Sequence, residues 1–434
     1  MTSRNILHGA ASLVIIAACA ASPAPSSAQS LAGRVQAAPT SRVQFEFPAK
    51  SGVCGDGQSF LSSGNGSSYY GNVNVVNGVS TQPCSTGPVR VVVDRADAVV
   101  TNIETVAGPL HPAEGATDLG TVSGREAVDY LMSIATKTDG RASREAIMPA
   151  ALADGVDITP TLVAIARDQN RPLDTRRSAL SWLARDDATN SDAQAGRATD
   201  LLLSIARDDN ETQSLRRSAL GMLARVGHGA GVPALVRLAA DNSSSWTAQE
   251  SLRALAQSGD PRARDFLRRE IARTDLPDAM LIDVIRGLGD TQATGQDIAL
   301  LRNTFTSTSS DRARSTIMDV IAQRGTATDT KWLLGIARDV NQSVQTRRRA
   351  IELAARGTTG SAEALAMYDK MDDPTLKSTL IQIYAQNNDR ASLDKLIAIA
   401  KTDSNYTLRR RAIESLSRTQ DPRARQALVE LTTR

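Results

Sequence analysis

The chain has 434 residues, 41% apolar and 22% charged, which is enough nonpolar side chain for several folded domains and argues against a disordered chain. Lys and Arg number 50 against 47 Asp and Glu, a net charge of +3, and only 3% of the residues are aromatic, so neither a dedicated polyanion binder nor a base-stacking platform is expected. Three His and three Cys, widely spaced, are too few for a usual multi-ligand zinc or iron–sulfur site, and no metal or organic cofactor is expected.

Residues 1–28 carry one basic residue, Arg4, then an apolar run from Ile6 to Ala21, then small residues and prolines. The run is short for a membrane span and ends in a processing-type segment, so it reads as a secretory signal. Two routes stay open. Ser26 and Ala28 supply small residues for a cut before Gln29, while Ile16-Ala17-Ala18-Cys19 resembles a lipobox whose Cys19 would become a lipid anchor. No other apolar run approaches the ~18 residues a span needs. The expected location is the periplasm or the exterior, with a membrane-anchored lipoprotein as the alternative. Export changes the reading of the cysteines. Cys54 and Cys84 are the only two left after a cut at Ala28, and an even pair in an oxidising compartment predicts a disulfide.

Residues 29–40, rich in Ala, Pro and Gln, read as a linker. Val43 to Phe47 then alternates apolar and polar, Val89 to Val93 is a β-branched run, and Val99, Val100 and Ile103 make another. Turn clusters separate them, including Asp56 between two glycines and the Gly/Ser/Asn stretch at 62–68. A small β-rich segment of four or five strands over 41–107, stapled by the disulfide, is predicted, followed by a second linker at 108–123.

From residue 124 the chain repeats. Ile-Ala-Arg-Asp-x-Asn, five variable residues and Arg-Arg-x-Ala recur at 165–180, 205–220 and 336–351, with a fourth copy, one residue shorter, at 399–413. The apolar residue closing each copy places the weaker units in register: Ile147, Leu180, Leu220, Leu252, Ile285, Ile317, Ile351, Leu380 and Ile413. Six of the eight intervals are 32 to 34 residues long, and the 40-residue interval contains the polar stretch 186–196. Each unit holds two amphipathic helices, A and B, with the Asp-x-Asn turn between them. Gly259-Asp260-Pro261 and Asp421-Pro422 mark turns between units.

This pattern resembles the HEAT-repeat family over residues 124–434, which implies a mainly α architecture: an α-α superhelix of nine helical hairpins plus a closing helix, preceded by the small β segment. The resemblance rests on an Asp in the turn and an Arg near the start of helix B: Asp168 with Arg176 or Arg177, Asp208 with Arg216 or Arg217, Asp339 with Arg347 or Arg348. Asp372-Asp373-Pro374-x-x-Lys377 is a further match. The family's usual proline in helix A is largely missing, and Trp246–Arg324 keeps the spacing without the Arg pair.

Arg in the first turn of helix B opposes that helix's dipole, so its repetition needs a reason. One is a ladder, in which the turn Asp and its counterpart in the next hairpin accept bidentate bonds from the guanidinium. The other is a basic stripe that meets a partner. The adjacent members of each pair, including Arg409 and Arg410, can take one role each. Other features read as structural: Gly227 to Gly231 as a turn, His111 and His228 as loop residues, and Trp182, Trp246 and Trp332 as core packing. No nucleophile constellation occurs. The expected function is an exported scaffold or adaptor that binds a protein or peptide, with an acidic partner suiting the stripe. The alternative is an enzyme, or an enzyme's regulatory subunit, with its site in the β segment. Nucleic acid is not an expected partner.

Overall fold

The computed structural model describes residues 30–63, 68–71, 75–76, 79–80, 84–109, 113–185, 192–241, 245–356, 358–387 and 389–432. The residues expected to form a secretory signal, with Cys19, and His111 lie outside them. The chain divides into two compact units, one ending at Thr175 and one beginning at Arg176.

In the first unit, residues expected as a linker form a helix, α1 (Leu31–Ala37). Seven residues are too few to hold a helix alone. Leu31 and Val35, four apart on one face, are buried, Ser30 Oγ caps Gly33 N at 3.3 Å, and Arg34 pairs with Glu126 at 3.0 Å. Composition hid this two-residue apolar face.

The strands are β1 (Arg42–Phe47), β2 (Cys54–Gly55), β3 (Phe60–Ser63), β4 (Ser68–Gly71), β5 (Val75–Val76), β6 (Val79–Ser80), β7 (Ser85–Thr86), β8 (Val89–Ala96), β9 (Val99–Ala107) and β10 (Thr117–Thr121). They form one sheet ordered β10-β1-β8-β9, a second ordered β4-β3-β2-β7, and the β5–β6 hairpin. Val43, Phe45 and Phe47 alternate along β1 with no exposed surface, as a period of two places them on one face. The second expected linker is also corrected. Its residues 117–121 form β10, which pairs parallel to β1 with Thr117 opposite Val43. Polar Thr-Asp-Leu-Gly-Thr has weak strand character and is held by the ladder and by Thr40, whose Oγ1 accepts from Thr117 N at 3.2 Å. Cys54 on β2 and Cys84 just before β7 form the expected disulfide, with Cα atoms 5.2 Å apart.

The sheets are not a separate segment, because they fold together with the first helices, α2 (Gly124–Lys137), α3 (Arg141–Glu145) and α4 (Ile147–Ala151). The Phe45 ring meets the Tyr130 ring edge-on at 5.9 Å. Ile103 N donates to Glu145 Oε2 at 3.1 Å, and Lys50 N donates to the Leu152 carbonyl at 2.8 Å. Helix B of this first hairpin is broken into α3 and α4 at Ala146, and Pro149 sits in the first turn of α4, where its missing N–H has no partner to lose.

The hairpins continue as α5 (Thr159–Arg167) with α6 (Leu173–Leu183), α7 (Asp192–Arg207) with α8 (Gln213–Leu223), α9 (Val232–Ala240) with α10 (Ser245–Ala256), and α11 (Pro261–Glu270) with α12 (Asp278–Leu288). Then come α13 (Gly295–Ser307) with α14 (Asp311–Gln323), α15 (Ala327–Arg338) with α16 (Val344–Ala354), α17 (Thr358–Met367) with α18 (Pro374–Asn387), α19 (Arg390–Thr402) with α20 (Tyr406–Ser417), and the closing α21 (Pro422–Thr432). In the second unit each B helix from α8 to α20 packs on the B helix of the next hairpin. The register residues are withdrawn from water: Leu180, Leu220, Leu252, Ile285, Ile317, Ile351 and Leu380 are at most 1% exposed, and Ile413 on α20 is half-buried. Close approach is enforced locally, since a Cβ on Gly289, which follows α12, would stand 1.8 Å from Val320 Cγ1 on α14.

Candidate functional site on the B helices

The turn between helices A and B is built by its Asp and Asn. Asp168, Asp208 and Asp339 each accept the N–H of the residue two on, Asn170, Asn210 and Asn341, at 3.0, 2.9 and 3.0 Å. Asn210 and Asn341 also donate through their amides at 3.1 Å. Bonds from Gln342 and from Asn341 hold the Asp339 carboxyl below the usual carboxylate range. Thr212 and Ser343 then cap helix B, accepting from Leu215 N and Thr346 N. In the shorter fourth copy one residue does both jobs, because Asn405 donates its N–H to Asp403 and accepts from Thr407 N and Leu408 N.

The expected ladder is therefore corrected. Asp208 and Asp339 spend their carboxylates inside the turn, and Asp168 is bonded to Asn170 and Arg171. The first arginine of the pair is committed elsewhere. Arg216 Nε donates to the Ala206 carbonyl at 3.1 Å, Arg347 Nε to the Ala337 carbonyl at 3.0 Å, and Arg409 to the carbonyls of Asp403 and Ser404 at 2.6 and 3.1 Å. These are the unpaired carbonyls at the C-terminal end of helix A, where a cation is favoured. The arginine opposes its own helix dipole and complements its neighbour's. In each case it stands four residues after the cap: Thr212 and Arg216, Ser343 and Arg347, Asn405 and Arg409. Ser310 and Arg314 repeat the device, with Arg314 reaching the Thr308 carbonyl at 2.7 Å. Sequence reading missed Arg314 because it looked for a pair rather than for cap-plus-four. Arg176 is buried and makes a bidentate pair with buried Glu211.

The second arginine faces along the B helices. Arg177 Nη2 donates to Ser214 Oγ at 2.8 Å, and Arg217, half-exposed, reaches Glu250 at 3.1 Å. Arg348 and Arg410 are exposed and interact within their own helix, with Gln345 and Glu414. Arg253–Asp283 at 3.2 Å and Arg349–Asp319 at 2.6 Å also bridge successive B helices. The tryptophans are also corrected. Trp182, Trp246 and Trp332 are half-buried rather than core, and guanidinium groups cover them: Arg185 at 4.3 Å over Trp182, Arg216 at 5.0 Å over Trp246, and Arg302 at 5.6 Å over Trp332.

An Asp–Arg ladder does exist, on the A helices of the middle hairpins. Asp297 on α13, wholly buried, accepts from Arg264 at 3.2 Å and Arg268 at 2.7 Å, both on α11. Asp329 on α15 accepts from Arg302 on α13 at 2.8 Å and from Arg324 at 3.2 Å. The signal was present as Thr294-x-x-Asp297 and Thr326-x-x-Asp329, boxes 32 residues apart. Burial raises the Asp297 carboxyl, but bonds from Arg268 and Thr294 outweigh it and hold it low.

Toward the C-terminal end the B-helix face opens. A groove of 820 Å³ lies between α18 and α20, and one of 360 Å³ lies beside it toward α16. Gly227–Gly229 around His228 is a short 3-10 turn ahead of α9. Among the described residues no group of three His, Cys, Asp or Glu could hold a metal ion, and no helix is long and apolar enough to cross a membrane.

Residues 199–283 and 361–434 match the family model of HEAT repeats. Among solved structures the chain is similar to the complex of CpcE and CpcF of phycocyanin lyase from Nostoc sp., with 16% identity over 64% of this chain and 96% of that one and a TM-score of 0.28. It is also similar to Kap95p in a structure with RanGDP, with 10% identity over 68% of this chain and 45% of that one and a TM-score of 0.45. Human deoxyhypusine hydroxylase shows 17% identity over 55% and 96%, with a TM-score of 0.27. At these identities the likeness concerns the fold alone. No curated protein sequence matches the chain.

Proposed function

As a member of the HEAT-repeat family the chain has the build of a scaffold, and we propose that it is an exported adaptor that binds a protein or peptide partner along its B helices. One observation carries this reading. Arg216, Arg347 and Arg409 are absorbed by their own hairpins, whereas Arg217, Arg348 and Arg410 stand exposed on the B helices. An exposed guanidinium row on stacked, rigid helices supplies planar donors for carboxylates at fixed spacing. Export rests on the leader at residues 1–28, with soluble release and lipidation at Cys19 as its two outcomes. Mass spectrometry of the N-terminus of the exported chain separates them.

Site-specific photo-cross-linking in cells tests the binding face. Cross-linkers at Arg348 and Gln382, on B helices, should trap a partner protein. Cross-linkers at Lys331 and Arg390, exposed on A helices, should not. Adducts from the A positions alone would place the binding face on the other side of the hairpins.

A further inference from the structure

The grooves between successive B helices are not alike. Arg217–Glu250 crosses from α8 to α10, Arg253–Asp283 from α10 to α12, and Arg349–Asp319 from α16 to α14, so each of these carries its own anion. Between α20 and α18 the crossing residue, Arg411, donates to the neutral hydroxyl of Ser378. The 820 Å³ groove around it is lined by three arginines, Arg410, Arg411 and Arg418, and one carboxylate, Glu414, which is taken by Arg410 at 3.5 Å. The exposed Arg418 guanidinium has no partner among the described residues. The groove therefore lacks the anion that these three seams possess.

Its other lining groups describe the missing occupant. Gln382, Gln386 and Gln420 present exposed amides with no side-chain partner among the described residues, and buried Ile381 with exposed Ala385 forms an apolar floor. An amide offers a donor and an acceptor together, which matches a peptide backbone and is wasted on a simple anion. The lining from Arg410 on α20 to Arg418 at its C-cap runs about 12 Å at 1.5 Å per residue, the length of roughly four residues of extended chain.

We propose that the α18–α20 groove binds an extended acidic peptide segment of a partner protein, with Arg411 and Arg418 pairing its carboxylates and Gln382 and Gln386 bonding its backbone. This rests on the scaffold reading and names the partner chemistry for one part of the B-helix face.

Fluorescence anisotropy of the full chain with a fluorescein-labelled hexapeptide of alternating Asp and Glu tests it, at low and moderate salt. Arg411→Ala and Arg418→Ala should each weaken binding about five- to tenfold, and Arg418→Glu further. Gln382→Ala should weaken the peptide without reducing the salt dependence, because it removes backbone bonds and no charge. The isosteric Asn/Gln hexapeptide should bind at least tenfold more weakly. Circular dichroism melts identify any variant that fails to fold, and Arg418, whose exposed guanidinium has no partner among the described residues, serves as the control that keeps its fold. Equal binding by wild type and Arg418→Glu would overturn the proposal, as would equal affinity for the Asn/Gln peptide. So would tighter binding of phosphatidylglycerol vesicles or a DNA dodecamer than of the peptide. If Arg348 and Gln382 still cross-link a partner in the Arg411→Ala/Arg418→Glu chain, the groove assignment falls and the scaffold reading stands. If no B-helix position cross-links in wild type, the scaffold reading falls.

Discussion

Arg216 and Arg347 donate to carbonyls that helix A leaves unpaired, and both are largely withdrawn from water. Alanine at either position should cost about 1–3 kcal/mol, because a partly buried carbonyl is left without a donor. Alanine at exposed Arg348 should stay within about 0.5 kcal/mol of wild type. Urea titrations of the three variants check this, and equal losses would mean that the two members of the pair are not distinguished. Asp297 is the second sensitive residue. It is wholly buried between Arg264 and Arg268, and Asp297→Ala should cost about 3 kcal/mol by stranding those cations. Its carboxyl is held below the usual range, as are those of Asp260, Asp339, Asp389 and Asp421. In the unfolded chain these groups protonate near pH 4. The stability they contribute is thus complete above about pH 4 and is lost as pH falls through the lower folded values. Melting temperature against pH should be flat from pH 7 to about 5 and drop below 4, and the Asp297→Asn chain should drop less steeply.

Among the elements, the second sheet is the one whose hold is covalent. Its strands β2 and β7 are two residues each and are joined by Cys54–Cys84. A loop of 30 residues closed by a disulfide is worth roughly 3–4 kcal/mol in the chain-entropy model. Reduction should therefore release hydrogen-exchange protection in β2, β3 and β7 while β1 and β8 keep theirs, because their face is packed by Phe45 and Val91. Loss of protection in β1 as well would show that the staple holds the whole first unit. Non-reducing peptide mapping of the chain should show the two cysteines joined. The α1 and β10 elements show the opposite dependence. Each is too short or too polar to persist alone, and each exists through what it packs or pairs with.

At the scale of the molecule, stacked hairpins touch only their neighbours, so damage should stay local. Leu252→Ala, at a wholly buried B-helix position, should cost 2–5 kcal/mol by the usual cavity range and raise exchange in α9 to α12 while leaving α17 to α20 protected. Ile413→Ala, half-buried on α20, should cost clearly less. Urea unfolding of either variant should broaden rather than shift as one transition, which probe-dependent midpoints would reveal. A single sharp transition would mean that the hairpins couple far beyond nearest neighbours.

The repeat, its register and the hairpin order were legible in the sequence because a stacked hairpin must bury the same position at the same phase each time. Leu180 to Leu380 keep that phase even where the motif has decayed. The disulfide was legible because, once Cys19 is assigned to the leader, Cys54 and Cys84 leave one pairing. The turn aspartates were legible as positions and not as partners. Asp208 and Asp339 can satisfy themselves two residues away, and a local bond costs less chain entropy than one across hairpins. What each arginine touches was therefore decided by tertiary structure. Arg216 and Arg347 turn to a carbonyl supplied by another helix, Arg264 and Arg268 converge on Asp297 from the preceding A helix, and the Arg418 guanidinium has no partner among the described residues, the one carboxylate of its groove being taken by Arg410. Spacing along one helix specifies a face, but a long flexible guanidinium chooses its acceptor only once neighbouring helices have brought the acceptors within reach.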